Sequence, residues 1–191
     1  MTSSEHNVPL QFVRDEVFYD HGYARILLRH YKDKKGAERE WGMTHLNTFG
    51  AGAVIIAVTN EREIILERIF RVTLNDWVIE LPGGCNDKQN ENSEIVAQRE
   101  LLEETGYIVS SVEFLTEIAD APGVTDQRTA IYLGWNAVKK STPMLEDSEV
   151  IETLLVPLDE LFSYLVNSHD ACDPKVWAAI VFLYRHGLIF E

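Results

Sequence analysis

The run Arg99-Glu-Leu-Leu-Glu-Glu-Thr-Gly-Tyr107, preceded by Glu80-Leu-Pro-Gly-Gly84 and by Glu91, constrains this chain more than any other segment. As a helix turning roughly 100° per residue, it brings Glu103 and Glu104 within about 60° of Glu100. Like charges at this spacing cost an isolated helix a few tenths of a kcal/mol. A turn that accepts that repulsion calls for a cation, and oxygen-only ligands suit Mg²⁺ or Mn²⁺ rather than zinc. The plain alternative, a solvated acidic face, fits the flanks less well. Pro82-Gly83-Gly84 supplies a tight turn whose carbonyls can face inward. Ser93 is placed to cap a helix over Ser93–Thr105, and Gly106 suits the left-handed residue that ends it. Arg99, four residues before Glu103, can pair with it. Ile95, Leu101 and Leu102 lie on the opposite arc as the expected anchor to a core.

The other strands and helices follow from apolar periodicity. Phe12 to about Leu46 suggests an antiparallel meander, with Ala24–His30 and Glu38–Leu46 joined through a charged turn at Lys32–Gly36. The near-continuous apolar run Gly50–Val58 reads as a buried strand, and Glu63–Arg71 as the next after a turn. Trp77–Leu81 leads into the acidic segment, and Ser111–Ala119, Thr129–Asn136 and Glu149–Val156 read as further strands. Leu158–Val166 and Pro174–Arg185 read as amphipathic helices. Residues 1–8 are expected to fray. The division expected is 1–48 as a β-subdomain and 49–191 as the main domain.

Composition removes several classes. With 46% hydrophobic residues in 191, the chain can bury a core. It has no apolar run of membrane-spanning length, and Met-Thr-Ser-Ser-Glu-His-Asn lacks the pattern of a signal peptide, so a cytoplasmic protein with no membrane partner is expected. The two cysteines, Cys85 and Cys172, form no disulfide framework or redox pair, and the scattered His suggest no zinc site. A net charge of −14 leaves no basic stripe for nucleic acid. It leaves room for a phosphate-bearing substrate, because a divalent cation with one or two Arg neutralises a pyrophosphate locally.

The 80–107 segment resembles the signature of Nudix hydrolases: Gly, five residues, Glu, seven residues, then Arg-Glu-U-x-Glu-Glu-x-Gly-U, U being bulky and apolar. Glu91, Arg99, Glu100, Leu101, Glu103, Glu104 and Gly106 fall in place, and Tyr107 fills the last apolar position. Six residues rather than five separate Gly84 from Glu91, a one-residue insertion in the loop. The resemblance implies an α/β fold, the Nudix α/β/α sandwich with a mixed sheet, preceded by a small N-terminal antiparallel β-subdomain.

It also implies metal-assisted hydrolysis of a pyrophosphate bond. Glu100 and Glu104, with Glu103 and a carbonyl of Gly83 or Gly84, would hold up to three Mg²⁺ (or Mn²⁺). Relatives cleaving ADP-ribose place a general base on the loop before the last strand. That loop offers Glu146, Asp147 and Glu149, with Glu149 best aligned; an acidic surface loop is the alternative. Ile69-Phe70-Arg71 is similar to the Gln-Phe/Tyr-Arg of ADP-ribose and nucleotide-sugar pyrophosphatases, so Arg71 would contact substrate phosphate unless it is a solvated strand end. Trp41 would stack on adenine, or else pack the subdomain; Trp77 is expected in the core. Ala121-Pro-Gly-Val-Thr125 begins fifteen residues after Gly106 and resembles the Ser-Pro-Gly loop of that subfamily. Gly123 would line the substrate there, with Gln127 where Glu is common. The implied substrate is ADP-ribose, giving AMP and ribose 5-phosphate, and the implied assembly is a homodimer built through the N-terminal strands. Alternatives are another nucleoside diphosphate sugar such as GDP-mannose, or a sensing domain that binds without cleaving. A cap-removing enzyme fits the acidic composition poorly.

Overall fold

The computed structural model describes residues 9–189, so the fraying expected for 1–8 lies outside the described residues. Two compact units are present. Among the described residues, one comprises those through Thr48 together with Ala119–Arg128, and the other Phe49–Ile118 together with those from Thr129.

In the first unit, β1 (Gln11–Asp20), β2 (Ala24–Lys32) and β3 (Glu38–Leu46) form an antiparallel sheet in that order. Gly36 closes the β2–β3 turn at φ 80°, and the Asp33 carboxylate accepts the Lys35 and Ala37 backbone N–H groups. The segment 119–128 lies along β3. Thr44 N–H donates to Val124 O at 2.8 Å, and Thr44 bridges Thr125 in parallel. Nothing in the sequence pattern marks that segment as a companion of the first strands. Every residue of β1 is exposed, Phe12, Phe18 and Tyr19 among them.

The second unit is built on β4 (Gly52–Thr59), buried along its whole length. Its alternating side chains enter two cores. Val54, Ile56 and Val58 join one core with α2 (Leu161–Asn167) and α3 (Pro174–Arg185). Ala53, Ile55 and Ala57 join the other with Val96, Ala97 and Leu101 of the signature segment. A strand covered on both faces explains the continuous apolar run in the sequence. Helices on both faces of a mixed sheet make the α/β/α sandwich. β5 (Glu63–Arg71), β6 (Asp76–Glu80), β7 (Gly83–Gly84), β8 (Tyr107–Ile108), β9 (Ser111–Ala119), β10 (Arg128–Lys139), β11 (Ile151–Pro157) and β12 (Ala171–Cys172) complete a nine-stranded sheet. β10 is parallel to β4, and β5 antiparallel to it.

The sheet forks at β5. Ile64 and Ile65 pair with Val58 and Ala57 of β4, whereas Glu67 through Arg71 pair with Glu80 through Asp76 of β6. β11 runs along the other edge. Into the opening comes β7, where Gly83 and Gly84 pair with Val54 and Ala53. A Cβ on Gly83 would stand 2.7 Å from Val54 Cα, so this approach needs glycine. Trp77 is half-buried rather than fully in the core, with the Arg68 guanidinium 4.0 Å from its ring centroid and Phe70 edge-on.

Candidate active site

The signature helix, α1, spans Ser93–Glu100 and is capped by Asn92, not by Ser93: the Asn92 side chain accepts Ile95 N–H at 2.9 Å. Asn92 keeps extended backbone angles, while Ser93 turns its hydroxyl to Tyr132 at 2.8 Å. The buried arc is Val96, Ala97 and Leu101, whereas Ile95 is exposed. The final turn also departs from the expected α-helix. Leu101–Thr105 forms a single π turn that Gly106 ends at φ 73°. Such a turn widens the helix and is common at functional sites. It changes the angular offsets of Glu103 and Glu104 from those of an ideal helix.

Segment 139–144 fastens this turn. Lys139 Nζ donates to Thr105 O at 2.6 Å, Lys140 N–H to Gly106 O at 2.8 Å and Met144 N–H to Glu103 O at 2.7 Å. A Cβ on Gly106 would collide with Ser141 O.

The carboxylates differ in environment. Glu104 is buried, and its Oε2 accepts Gly83 N–H at 2.9 Å. Glu100 packs on Gly84, where a Cβ would stand 2.7 Å from its carboxyl carbon. Glu103 is more open and pairs with Arg99 at 2.8 Å, the i,i+4 contact expected from the sequence. Arg99 also holds Glu100 at 2.9 Å and Glu91 at 3.2 Å. Among the described residues, no three His, Cys, Asp or Glu side chains already form a metal cage.

Glu67 joins this cluster from outside the signature segment. It stands on β5 at the fork, only 2% exposed, and its carboxyl donates a hydrogen bond to that of Glu104. Its Oε1 has no partner. Burial, and then the charge of Glu104, hold Glu67 well above the usual carboxylate range. Burial, and then the charge of Glu100, push Glu104 up to about 8, against the opposing bonds from Gly83 and Glu67. Burial also raises Glu100, with Arg99 pulling the other way. The overlooked signal was a lone carboxylate directly after Ile64-Ile65-Leu66.

The candidate base residues lie on the 144–149 loop. Glu149 Oε2 accepts Glu146 N–H at 2.8 Å, and Glu149 N–H donates to Glu146 O at 3.0 Å. The charge of Glu149 is felt at Glu104, so loop and helix share one electrostatic environment. Arg71 forms a bidentate pair with Glu80, at 2.6 and 2.9 Å.

The other substrate candidates gather in the first unit. Trp41 is 55% exposed, and its Nε1–H donates to Gly123 O at 3.0 Å. A cavity of about 570 Å³ is lined by Phe12, Arg29, Tyr31, Trp41, Gly123 and Gln127 among others of this unit. That size and aromatic lining are typical of small-molecule sites. His45 meets Asp126 at 3.0 Å and steadies the loop.

Known proteins align with this arrangement. The NUDIX domain family matches residues 48–178. A protein named ADP-ribose pyrophosphatase from Bacillus subtilis is 34% identical over 134 residues, 69% of this chain and 71% of that protein. A methanol dehydrogenase activator from Bacillus methanolicus is 33% identical over 134 residues, with the same coverages of 69% and 71%. The crystal structure of an ADP compounds hydrolase superposes with a TM-score of 0.76 at 18% identity, covering 94% of each chain, which establishes the shared fold. With the signature carboxylates gathered at the end of α1 and on the π turn that follows it, beside Gly83-Gly84, this chain belongs to the NUDIX family and is a Nudix hydrolase, similar to its ADP-ribose pyrophosphatase members.

Proposed function

We propose that this chain hydrolyses ADP-ribose to AMP and ribose 5-phosphate with Mg²⁺ or Mn²⁺ bound at Glu100 and Glu104, aided by Glu103 and the Gly84 carbonyl. The observation that carries the reading is the convergence of half-buried Glu100 and buried Glu104 on the Gly83-Gly84 strand. The residues fit a hard divalent cation. All side-chain donors are carboxylates, one neighbouring oxygen is buried without a partner, and the glycine leaves a cradle where Glu100 sits. When bound, such a cation polarises phosphoryl oxygens and lowers the pKa of a water.

The protein's own groups do the rest. Arg99 sets the orientation of Glu100 and Glu103. Glu149 is the candidate general base, with Glu146 fixing its loop: it takes a proton from the attacking water, whose oxygen joins phosphorus as the bridging P–O bond breaks. Arg71 is assigned to substrate phosphate, for which a guanidinium has matching geometry. Its grip on Glu80 holds the fork in this structure. Trp41, Gly123 and Gln127 are assigned to the nucleotide, which the aromatic cavity of their unit supports.

A homodimer through the first unit belongs to the same reading. It is supported by β1, which exposes Phe18 at 74% and Tyr19 at 54%, a load of apolar surface that usually marks an interface. No helix among the described residues is long and apolar enough to cross a membrane, and a cytoplasmic setting remains part of the proposal.

The test is product release from a panel of ADP-ribose, GDP-mannose, UDP-glucose, NADH and diadenosine polyphosphates with Mg²⁺ or Mn²⁺. AMP and ribose 5-phosphate from ADP-ribose at the highest kcat/KM is expected. Preference for another diphosphate would overturn the substrate, and no turnover of any of them would overturn the enzymatic role.

A further inference from the structure

We propose that Glu67, which lies outside the signature, is an additional carboxylate of the divalent-cation site; this rests on the metal reading given above. Glu67 sits where β5 leaves β4 and takes up β6, so its side chain enters the opening that Gly83-Gly84 and the π turn fill. The residue is 2% exposed, and Oε1 has no hydrogen-bond partner. A buried oxygen left without a partner is destabilising, the more so when charged, unless something satisfies it.

The nearby cation does not serve. Arg71 is committed to Glu80 through both carboxylate oxygens. The remaining neighbours are acidic: Glu104, which Glu67 touches, and Glu80, its cross-strand partner. The residues before it, Ile64, Ile65 and Leu66, are fully buried hydrophobics, so the strand has no need of a carboxylate at 67 for packing. A hard cation shared with Glu104 satisfies the open oxygen and offsets the repulsion. One more anionic oxygen ligand strengthens binding of a hard divalent ion.

The test reads metal directly, without substrate. Mn²⁺ is titrated into wild type, Glu67→Gln and Glu67→Val, followed by calorimetry and by the electron-spin signal of free Mn²⁺, with circular dichroism confirming the fold. Wild type is expected to bind, and both variants to lose about tenfold or more in affinity, the scale on which even supporting groups act. Glu67→Val preserves packing without oxygen, so it keeps the test open should the amide of Glu67→Gln disturb Glu104. Wild-type affinity in both variants would overturn the role of Glu67 while leaving the metal site standing. A wild type that binds no Mn²⁺ would overturn both.

Discussion

The π turn and the Trp41 cavity each gather candidate functional residues, and they do so by opposite means. At the turn, glycines and backbone hydrogen bonds bring carboxylates together, with buried Glu104 against Gly83 and half-buried Glu100 against Gly84. In the cavity, exposed aromatic and polar side chains gather on β2, β3 and the 119–128 loop, and Trp41 is steadied by a single bond to Gly123. Buried charge is costly to arrange and admits few substitutes. An aromatic-lined concavity can be built from many residue combinations. In the proposed reading, reaction chemistry belongs to the turn and substrate choice to the cavity.

Substitutions can break that division. The largest effect is expected at Glu104. Glu104→Gln should reduce kcat by roughly 10³-fold or more, as loss of a principal charge-stabilising element does, and should weaken Mn²⁺ binding in the same titration. Near-normal turnover would remove the turn from the chemistry. Next comes Glu149→Gln, expected to lower kcat by about 10²–10⁴-fold, the usual worth of a general base, while Mn²⁺ affinity stays unchanged. Equal turnover would move the base elsewhere on the loop, to Glu146 first. Trp41→Ala should raise KM for ADP-ribose by about tenfold, a stacking loss of 1–3 kcal/mol, with kcat nearly constant. A kcat loss without a KM change would merge the two regions into one catalytic unit.

The smallest effect concerns stability. Glu104 is raised from 4.5 to about 8 by burial and by Glu100, so folding binds a proton between those values. The stabilisation is complete below pH 4.5 and is lost as pH rises through 8. The melting temperature of chelator-treated protein should therefore fall across that window, and less so for Glu104→Gln. Identical pH profiles for the two proteins would contradict the burial argument.

Much of this was legible in the sequence, for physical reasons that differ by element. β4 and the signature helix were readable because an unbroken apolar run and a capped, glycine-ended segment leave few alternatives. The three carboxylates and the Arg99–Glu103 pair were readable because their spacing is local. The π turn was not, since the partners that Leu101–Thr105 and Gly106 take up, Lys139, Lys140 and Met144, lie far along the chain. The cap shifted by one residue because Ser93 found a better partner in Tyr132. Glu67 was missed because its meaning depends on the fork: in sequence it is one charge in a strand, and only the separation of β4 from β6 turns it toward Glu104. The union of Trp41 with Gly123 spans 82 positions, a range that no local pattern covers.

The central claim, that the carboxylates at the fork hold the cation on which hydrolysis depends, is tested most directly by the anomalous signal of manganese in crystals of the protein grown with Mn²⁺ and a non-hydrolysable ADP-ribose analogue. The account predicts density bounded by Glu100 and Glu104, next to Gly83-Gly84. Manganese held only elsewhere, for example at Asp15 and Asp126 of the first unit, would contradict it.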